Sequence, residues 1–386
     1  MRNHVQLFKL IVVLMSLHLL TGCWDIKEIQ DINYITAIGV DYEDDHYILY
    51  SQMIDFTSIA KTEGGKSATP SQIWVSRTTG KTLDAAINNI YDSAQVRTIW
   101  GHISSIVISE RALSQGVIYK MDTIARFQEV RMTPWVYGTR DSIEELFYTP
   151  AFFNLSPLNT MLHEPLEEYK QKSVIAPIRF FDFAAEVTEP GYTVILPNLT
   201  INKVTWSTQD KRDPKLAIDG AFMLSEDKLL GYLDNVKLSG LRWMSHFTRR
   251  SHLPIHNEGN YSGVVVLKNP RIRKELVMEQ GKPVFNIHVR LHGNVVEILE
   301  KYSKHELENQ AAVQVRKEIL DTFNNSINIK ADVYSLEHVF FKKNMKLWRQ
   351  QQGKEGMLHI DGESLNAVKV EVFLDHVGMK VLHQGE

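Results

Sequence analysis

The sequence predicts an α+β fold in three domains, each a mixed or antiparallel sheet with packed helices. Segments rich in β-branched and aromatic residues come in pairs joined by short polar turns, as antiparallel hairpins do. The later half reads as strand, strand, long helix, strand, not as repeated βαβ units. A length of 386 residues with 44% hydrophobic and 23% charged content suits two or three ordinary globular domains. The expected division is 1–22 leader, 23–150 N-terminal domain, 151–260 middle domain with a Pro-rich start, and 261–386 C-terminal domain.

Residues 1–22 read as an export signal. Arg2 and Lys9 form a positive head, and Leu10 to Leu20 an apolar stretch. That stretch is within the roughly 7–15 residues of a signal core and short of the about 20 that span a bilayer. Leu20, Thr21, Gly22 and Cys23 follow, and Cys23 is the one cysteine in the chain. Small residues before a cut and a thiol directly after it make a lipoprotein cleavage box. Cys23 is then the lipid-attachment residue, carrying a covalent diacylglycerol. One acyl chain binds a membrane marginally and two hold firmly, at about 0.8 kcal/mol per buried CH₂.

After the leader, Ile26, Ile29 and Ile32 sit among charges as a short amphipathic segment. The stretches 34–42 and 46–56 flank Glu43, Asp44 and Asp45 and form a hairpin. Residues 61–72 are rich in Gly, Ser and Pro and read as a loop; 73–80 resume a strand. From 81 the period changes: Leu83, Ala86, Ile87, Ile90 and Ala94 share a helix face, with Thr82 as N-cap. A buried strand follows at 102–110, a helix at 115–131, a strand at 133–139 and a short helix at 142–148. The middle part, punctuated by Pro157, Pro165, Pro177, Pro190 and Pro197, holds short helices, then a strand from 193. Residues 216–234 form a hairpin with its tip at 225–228, and 238–247 a short helix or turn.

The last part pairs 261–277 with 283–299, where Phe285, Ile287, Val289 and Leu291 alternate with polar residues. A long helix runs from Lys304 to Ile327 on a stripe of Leu307, Ala311, Val315, Ile319, Leu320, Phe323 and Ile327. Residues 339–351 are helical, 353–356 turn, and 366–378 close as a strand.

Function classes narrow by composition. A net charge of −3, more negative once Arg2 and Lys9 leave with the leader, does not point to nucleic acid. With Cys23 lipidated, no thiol remains for disulfides, thiolate zinc sites or a cysteine nucleophile. His246, His252 and His256 gather with Arg242, Arg249 and Arg250, but Pro254 breaks the helix that a shared metal face needs, and the arginines repel a cation. The reading there is a solvated basic patch facing an acidic partner or lipid headgroups. The acids at 41–45 lack calcium-loop spacing, and His102 beside Trp100 and Gly101 reads as structural. No phosphate loop, serine elbow or zincin motif occurs. Neither a catalytic centre, a metal nor a cofactor is expected.

Several stretches, in order, resemble one family: "GCWDIKEIQDINYITAIGVDY" (22–42), "GKTLDAAINNI" (80–90), "WGHISSIVISE" (100–110), "IARFQEVR" (124–131) and "GAFMLSEDKLLGYLD" followed by "SGLRWM" (220–244). They resemble the Ger(x)C spore-germination lipoproteins, the C subunits of nutrient germinant receptors; 150–205 matches least. The resemblance implies three α+β domains and attachment to the outer surface of the spore inner membrane. It also implies partnership with the integral membrane A and B subunits, a response to small nutrients, and no enzymatic activity. Trp24, Trp243, Arg249 and Arg250 are the candidate partner contacts, as exposed aromatic and basic residues. The alternative is a solute-binding lipoprotein of a membrane transporter, against which the hairpin-rich later half counts. A lipoprotein hydrolase would need a nucleophile or metal constellation that the sequence does not display.

Overall fold

The computed structural model describes residues 32–54, 72–116, 121, 129–209, 211–257, 260–300, 302–352 and 360–376, with residues 4, 6, 8 and 9. They form two sheets around α+β cores.

β1 (Ile32–Glu43) and β2 (His46–Ile54) are the expected hairpin. Asp44 and Asp45 close it with φ of 50° and 60°, left-handed positions that Asp tolerates. β3 (Ile73–Gly80) pairs with β2, and α1 (Leu83–Asn88) follows. The Ala85 N–H donates to Thr82 Oγ1 at 3.1 Å, so Thr82 is the N-cap. Next come β4 (Arg97–Ile99), β5 (Ser105–Ser109), α2 (Glu110–Ser114), β6 (Trp135–Thr139) and α3 (Ile143–Tyr148). Then follow α4 (Leu166–Gln171), β7 (Ile178–Arg179), α5 (Phe180–Thr188), β8 (Val194–Asn202), β9 (Lys215–Ser225) and β10 (Lys228–Asp234).

The first sheet has the order β10-β9-β8-β6-β5-β1-β2-β3, with β4 beside β1 and β7 beside β6. β1, β5, β6 and β8 run parallel at its centre. Both faces are covered, which is why "SIVIS" and "WVYGT" are buried at every position. Leu83, Leu113 and Phe183 of α1, α2 and α5 seal one face; Ile143, Leu146 and Phe147 of α3 seal the other.

β11 (Ser251–Asn257) opens the second sheet, where no strand was expected from the sequence. It is an edge strand, where Pro254 can sit without leaving a ladder hydrogen bond unmade on the open side. β12 (Asn260–Glu279) and β13 (Lys282–Ile298) turn through Gln280 and Gly281, both at positive φ. α6 (Lys304–Ile327) starts at a Ser303/Glu306 capping box and lays its stripe on Phe285, Ile287, Val289 and Leu291. α7 (Leu336–Lys343) and α8 (Met345–Gln351) lead to β14 (Leu365–His376), parallel to β13.

β9 ties the sheets together. Its alternation sends Phe222 and Leu224 into the first core and Ala221 and Met223 into the second. Strands from 151–260 thus extend the first sheet as β8, β9 and β10 and begin the second as β11. The expected segment 24–31, most of the loop at 61–72, most of the helix at 115–131 and the turn at 353–356 lie outside the described residues.

Candidate functional site

The seam between the sheets is built on a 3-10 turn, Ser239–Trp243, that docks on α6. Contact is close enough that a Cβ on Gly240 would lie 2.4 Å from the Glu318 carbonyl oxygen. The Gly240 N–H donates to Thr322 Oγ1 at 2.8 Å, and that hydroxyl donates onward to the Lys237 carbonyl at 2.9 Å. Arg242 grips the Glu318 carboxylate, with Nη2 at 2.9 and 2.8 Å from its two oxygens. The Trp243 indole N–H donates to Glu318 Oε2 at 2.6 Å.

Two expectations are corrected here. Trp243 is 0% exposed; its ring fills the second core and its N–H is taken by Glu318, so it offers nothing to a partner. Arg242 is not part of a solvated patch: its side chain is 14% exposed and its partner's 11%. The sequence did carry a signal for this partner. Glu318 falls on the apolar stripe of α6, between Val315 and Ile319, where an acid needs an internal partner.

Beyond the turn the chain surfaces. Phe247 is 69% exposed, and Arg249 and Arg250 are exposed after it. Their backbone is pinned: both N–H groups donate to Ser173 Oγ, and the Ser173 N–H donates to the Arg250 carbonyl at 2.8 Å. Arg249 Nη1 reaches Asn269 Oδ1 at 3.4 Å. Lys172 lies in the same neighbourhood. The His252 imidazole is held below its ordinary value, first by desolvation and then by the charges of Arg250, Lys172 and Arg242. Phe247, Arg249, Arg250 and Lys172 therefore form a basic face with one protruding ring. His252 and His256 sit four apart on a strand, roughly 13 Å from each other, too far to share an ion. Among the described residues no group of three His, Cys, Asp or Glu could hold a metal.

A serine–histidine pair lies inside the first sheet. His163 Nδ1 is 2.6 Å from Ser104 Oγ and its Nε2 is 3.0 Å from Gln52 Oε1. The Gln52 amide also donates to the Phe147 carbonyl at 2.8 Å and receives the Thr36 hydroxyl at 3.0 Å. Burial pushes the imidazole down to about 3, so it does not take a proton near neutrality. An amide, not a carboxylate, orients it. These groups knit β1, β2 and β5 to the segment before α4, as a satisfied buried network does.

Cys23, its box Leu20, Thr21 and Gly22, and Trp24 lie outside the described residues. Among those described, no helix is long and apolar enough to cross a membrane.

Comparison with known proteins falls on both halves of the chain. Residues 25–201 match the family model described as the spore germination protein N-terminal domain, and 219–378 the one described as spore germination B3/GerAC like, C-terminal. Spore germination protein KC of Bacillus subtilis (strain 168) is 21% identical over 96% of this chain and 95% of its own. Spore germination protein B3 of the same organism is 22% identical over 75% of this chain and 74% of its own. The crystal structure of the GerBC protein shares the fold, with a TM-score of 0.52 at 16% identity, covering 92% of this chain and 99% of that one. With one family model on each half and relatives matched nearly end to end, the chain belongs to the Ger(x)C family of spore germination proteins.

Proposed function

We propose that this chain is the lipid-anchored C subunit of a spore nutrient germinant receptor. Diacylglycerol on Cys23 holds it on the outer surface of the spore inner membrane. It meets the integral membrane A and B subunits there and works by assembly and signalling, not by catalysis. The observation that carries the reading is the place of the lone cysteine. It stands directly behind an apolar leader with Leu20, Thr21 and Gly22 before it, and the family match begins two residues later, at residue 25. Two acyl chains on that sulfur supply the bilayer affinity that no described helix supplies. The basic face of Phe247, Arg249 and Arg250 supports the reading as a contact surface with membrane subunits or anionic headgroups.

Cys23→Ala tests the anchor. The expected result is release of the protein from the membrane fraction and loss of nutrient-triggered germination. Mass spectrometry of the unmutated protein should find the diacylglycerol on an amino-terminal cysteine. Retention in the membrane with germination untouched sinks the reading. Co-purification from spores tests partnership: the A and B subunits should accompany the unmutated chain.

A further inference from the structure

We infer that the outer face of the second sheet is a docking surface for a bilayer that carries anionic headgroups. α6 packs on the inner face of this sheet, against Phe285, Ile287, Val289 and Leu291. The same alternation turns the polar positions of each strand to the other side. Register sets them in rows across three strands. Arg273 of β12 stands beside His288 of β13, and His288 beside Lys369 of β14. The next row is Arg271, Arg290 and Glu371; the third is Lys268, His292 and Phe373. Side chains two apart on a strand lie about 7 Å from each other, and neighbouring strands about 4.8 Å, so the array covers roughly 13 by 10 Å as a shallow surface, not a cleft.

Positive charge dominates this face. Five cations, Lys268, Arg271, Arg273, Arg290 and Lys369, meet one acid within the array and two at its borders. Glu371 takes Lys369 and Arg290, each at 2.9 Å, and these two hold its carboxyl down to about 2. At the borders, Glu275 takes Arg273 at 2.8 Å, and Asp375 lies 3.8 Å from His292. Arg271 and Lys268 pair with no acid among the described residues. Between them Asn269 bulges from the ladder at a φ of 48°, and its Oδ1 meets Arg249 Nη1 at 3.4 Å. The array is thus continuous with the basic face of Arg249 and Arg250. Cations left unmatched over a plane suit an anionic plane. A small anion needs donors that converge on one point, and a peptide helix needs a groove. Each Lys or Arg held within about 8 Å of an anionic surface, the Debye length, strengthens attachment roughly fivefold. Two rings add to this: Phe373, 41% exposed and stacked on His292 at 5.3 Å, and Phe247, 69% exposed. Protruding apolar rings beside cations bury shallowly at the headgroup boundary.

The docking face rests on the lipid-anchored reading, which sets the chain on a bilayer, and the test separates the two. The full chain is reconstituted with vesicles of phosphatidylcholine, alone or with phosphatidylglycerol added. Flotation with phosphatidylcholine reads the anchor. Modification by a water-soluble maleimide reads the face: Phe373→Cys lies on it, and Val313→Cys is exposed on the far side of α6. Phosphatidylglycerol should slow modification of Phe373→Cys by about tenfold or more and leave Val313→Cys unchanged, and molar salt should abolish the difference. Lys268→Gln combined with Arg271→Gln, neither side chain being ion-paired, should restore most of the access at Phe373→Cys without harm to the fold. Equal rates at Phe373→Cys in the two lipids overturn the proposal. So does equal slowing at Val313→Cys, or full protection in the double Gln variant. Protection that requires the A and B subunits in place of phosphatidylglycerol assigns the face to an acidic protein surface and overturns it as well. A chain that floats with phosphatidylcholine but gains no protection overturns the docking face alone. One that floats and is protected only with phosphatidylglycerol upholds the face and overturns the anchor, and one that floats with neither lipid overturns both.

Discussion

Glu318 holds Arg242 with both of its carboxylate oxygens, 2.9 and 2.8 Å from Nη2, while the second also accepts the Trp243 indole N–H at 2.6 Å. The acid belongs to α6 of the second sheet, and the arginine to the turn that leaves β10 of the first. This one carboxylate therefore bonds the two bodies across their seam. Burying a charge is unfavourable unless its partners are all in place, and here they are.

Glu318→Ala should lower stability by about 3–5 kcal/mol, because it strands a buried guanidinium and an indole N–H together. Arg242→Ala should do nearly as much harm. Arg249→Glu, on the exposed face only a few residues on, should stay within about 0.5 kcal/mol of the parent. Urea unfolding of the three variants checks this. A loss for Glu318→Ala no larger than that for Arg249→Glu would show that the seam does not depend on the pair.

Gly240→Ala probes the same joint through backbone contact. The added methyl would meet the Glu318 carbonyl oxygen at 2.4 Å and the Ile319 Cα at 2.8 Å. Helix backbone cannot swing aside as a flexible side chain can. A loss of about 1–3 kcal/mol is expected, seen as an earlier urea midpoint. Unchanged stability would mean that the turn and α6 can move apart.

The hairpins at 32–54 and 260–298 and the helix Lys304–Ile327 were legible because each rests on local signals: alternation, acidic or glycine turns, a capping box. The α6 bounds agree at both ends with those read from periodicity. β11 was missed because Pro254 and flanking charges mask an edge strand, whose outer side needs no partner. Trp243 was misplaced for a related reason. An aromatic among arginines reads as surface, and only the fold brings Glu318, 75 positions later, to receive its N–H. Shared strands hide likewise: the pattern of β9 shows that both its faces are apolar, not that they face different cores.

His163 makes a pH prediction. Burial holds its folded value at about 3, against an ordinary 6.5, so the unfolded chain binds the extra proton between those limits. The stability this neutral imidazole contributes is complete above pH 6.5 and is lost as pH falls toward 3. His163→Gln should be less stable than the parent by about 1–3 kcal/mol near neutrality, since Ser104 and Gln52 lose their partner. The gap should narrow as pH drops through the acid range. Parallel urea midpoints for parent and variant at every pH would refute it.

Asp332 works in the opposite sense, at the seam's other end. Its carboxyl is fully buried and is raised from the usual 3.8 to about 7, chiefly by desolvation, against the Glu337 N–H and the Lys274 charge, which lower it. Its Oδ2 accepts that N–H at 2.8 Å, while Oδ1 finds no hydrogen-bond partner. An acid raised in the folded state binds its proton more tightly there, so folding takes up a proton between the two values. Stability then falls as pH climbs from about 4 to about 7 and levels off above. Glu186, pushed up to about 7 by burial, adds to the same slope, and His163 opposes it over the lower part of the window. Single substitutions are needed to separate these terms. Asp332→Asn keeps an acceptor for the Glu337 N–H and removes the charge. Its stability curve should be flatter than the parent's across this window, and near pH 8 the variant should be at least as stable as the parent. Urea midpoints at intervals from about pH 5 to about pH 8 decide it: curves of equal slope would mean that Asp332 keeps its charge in the folded protein and that solvent reaches it there.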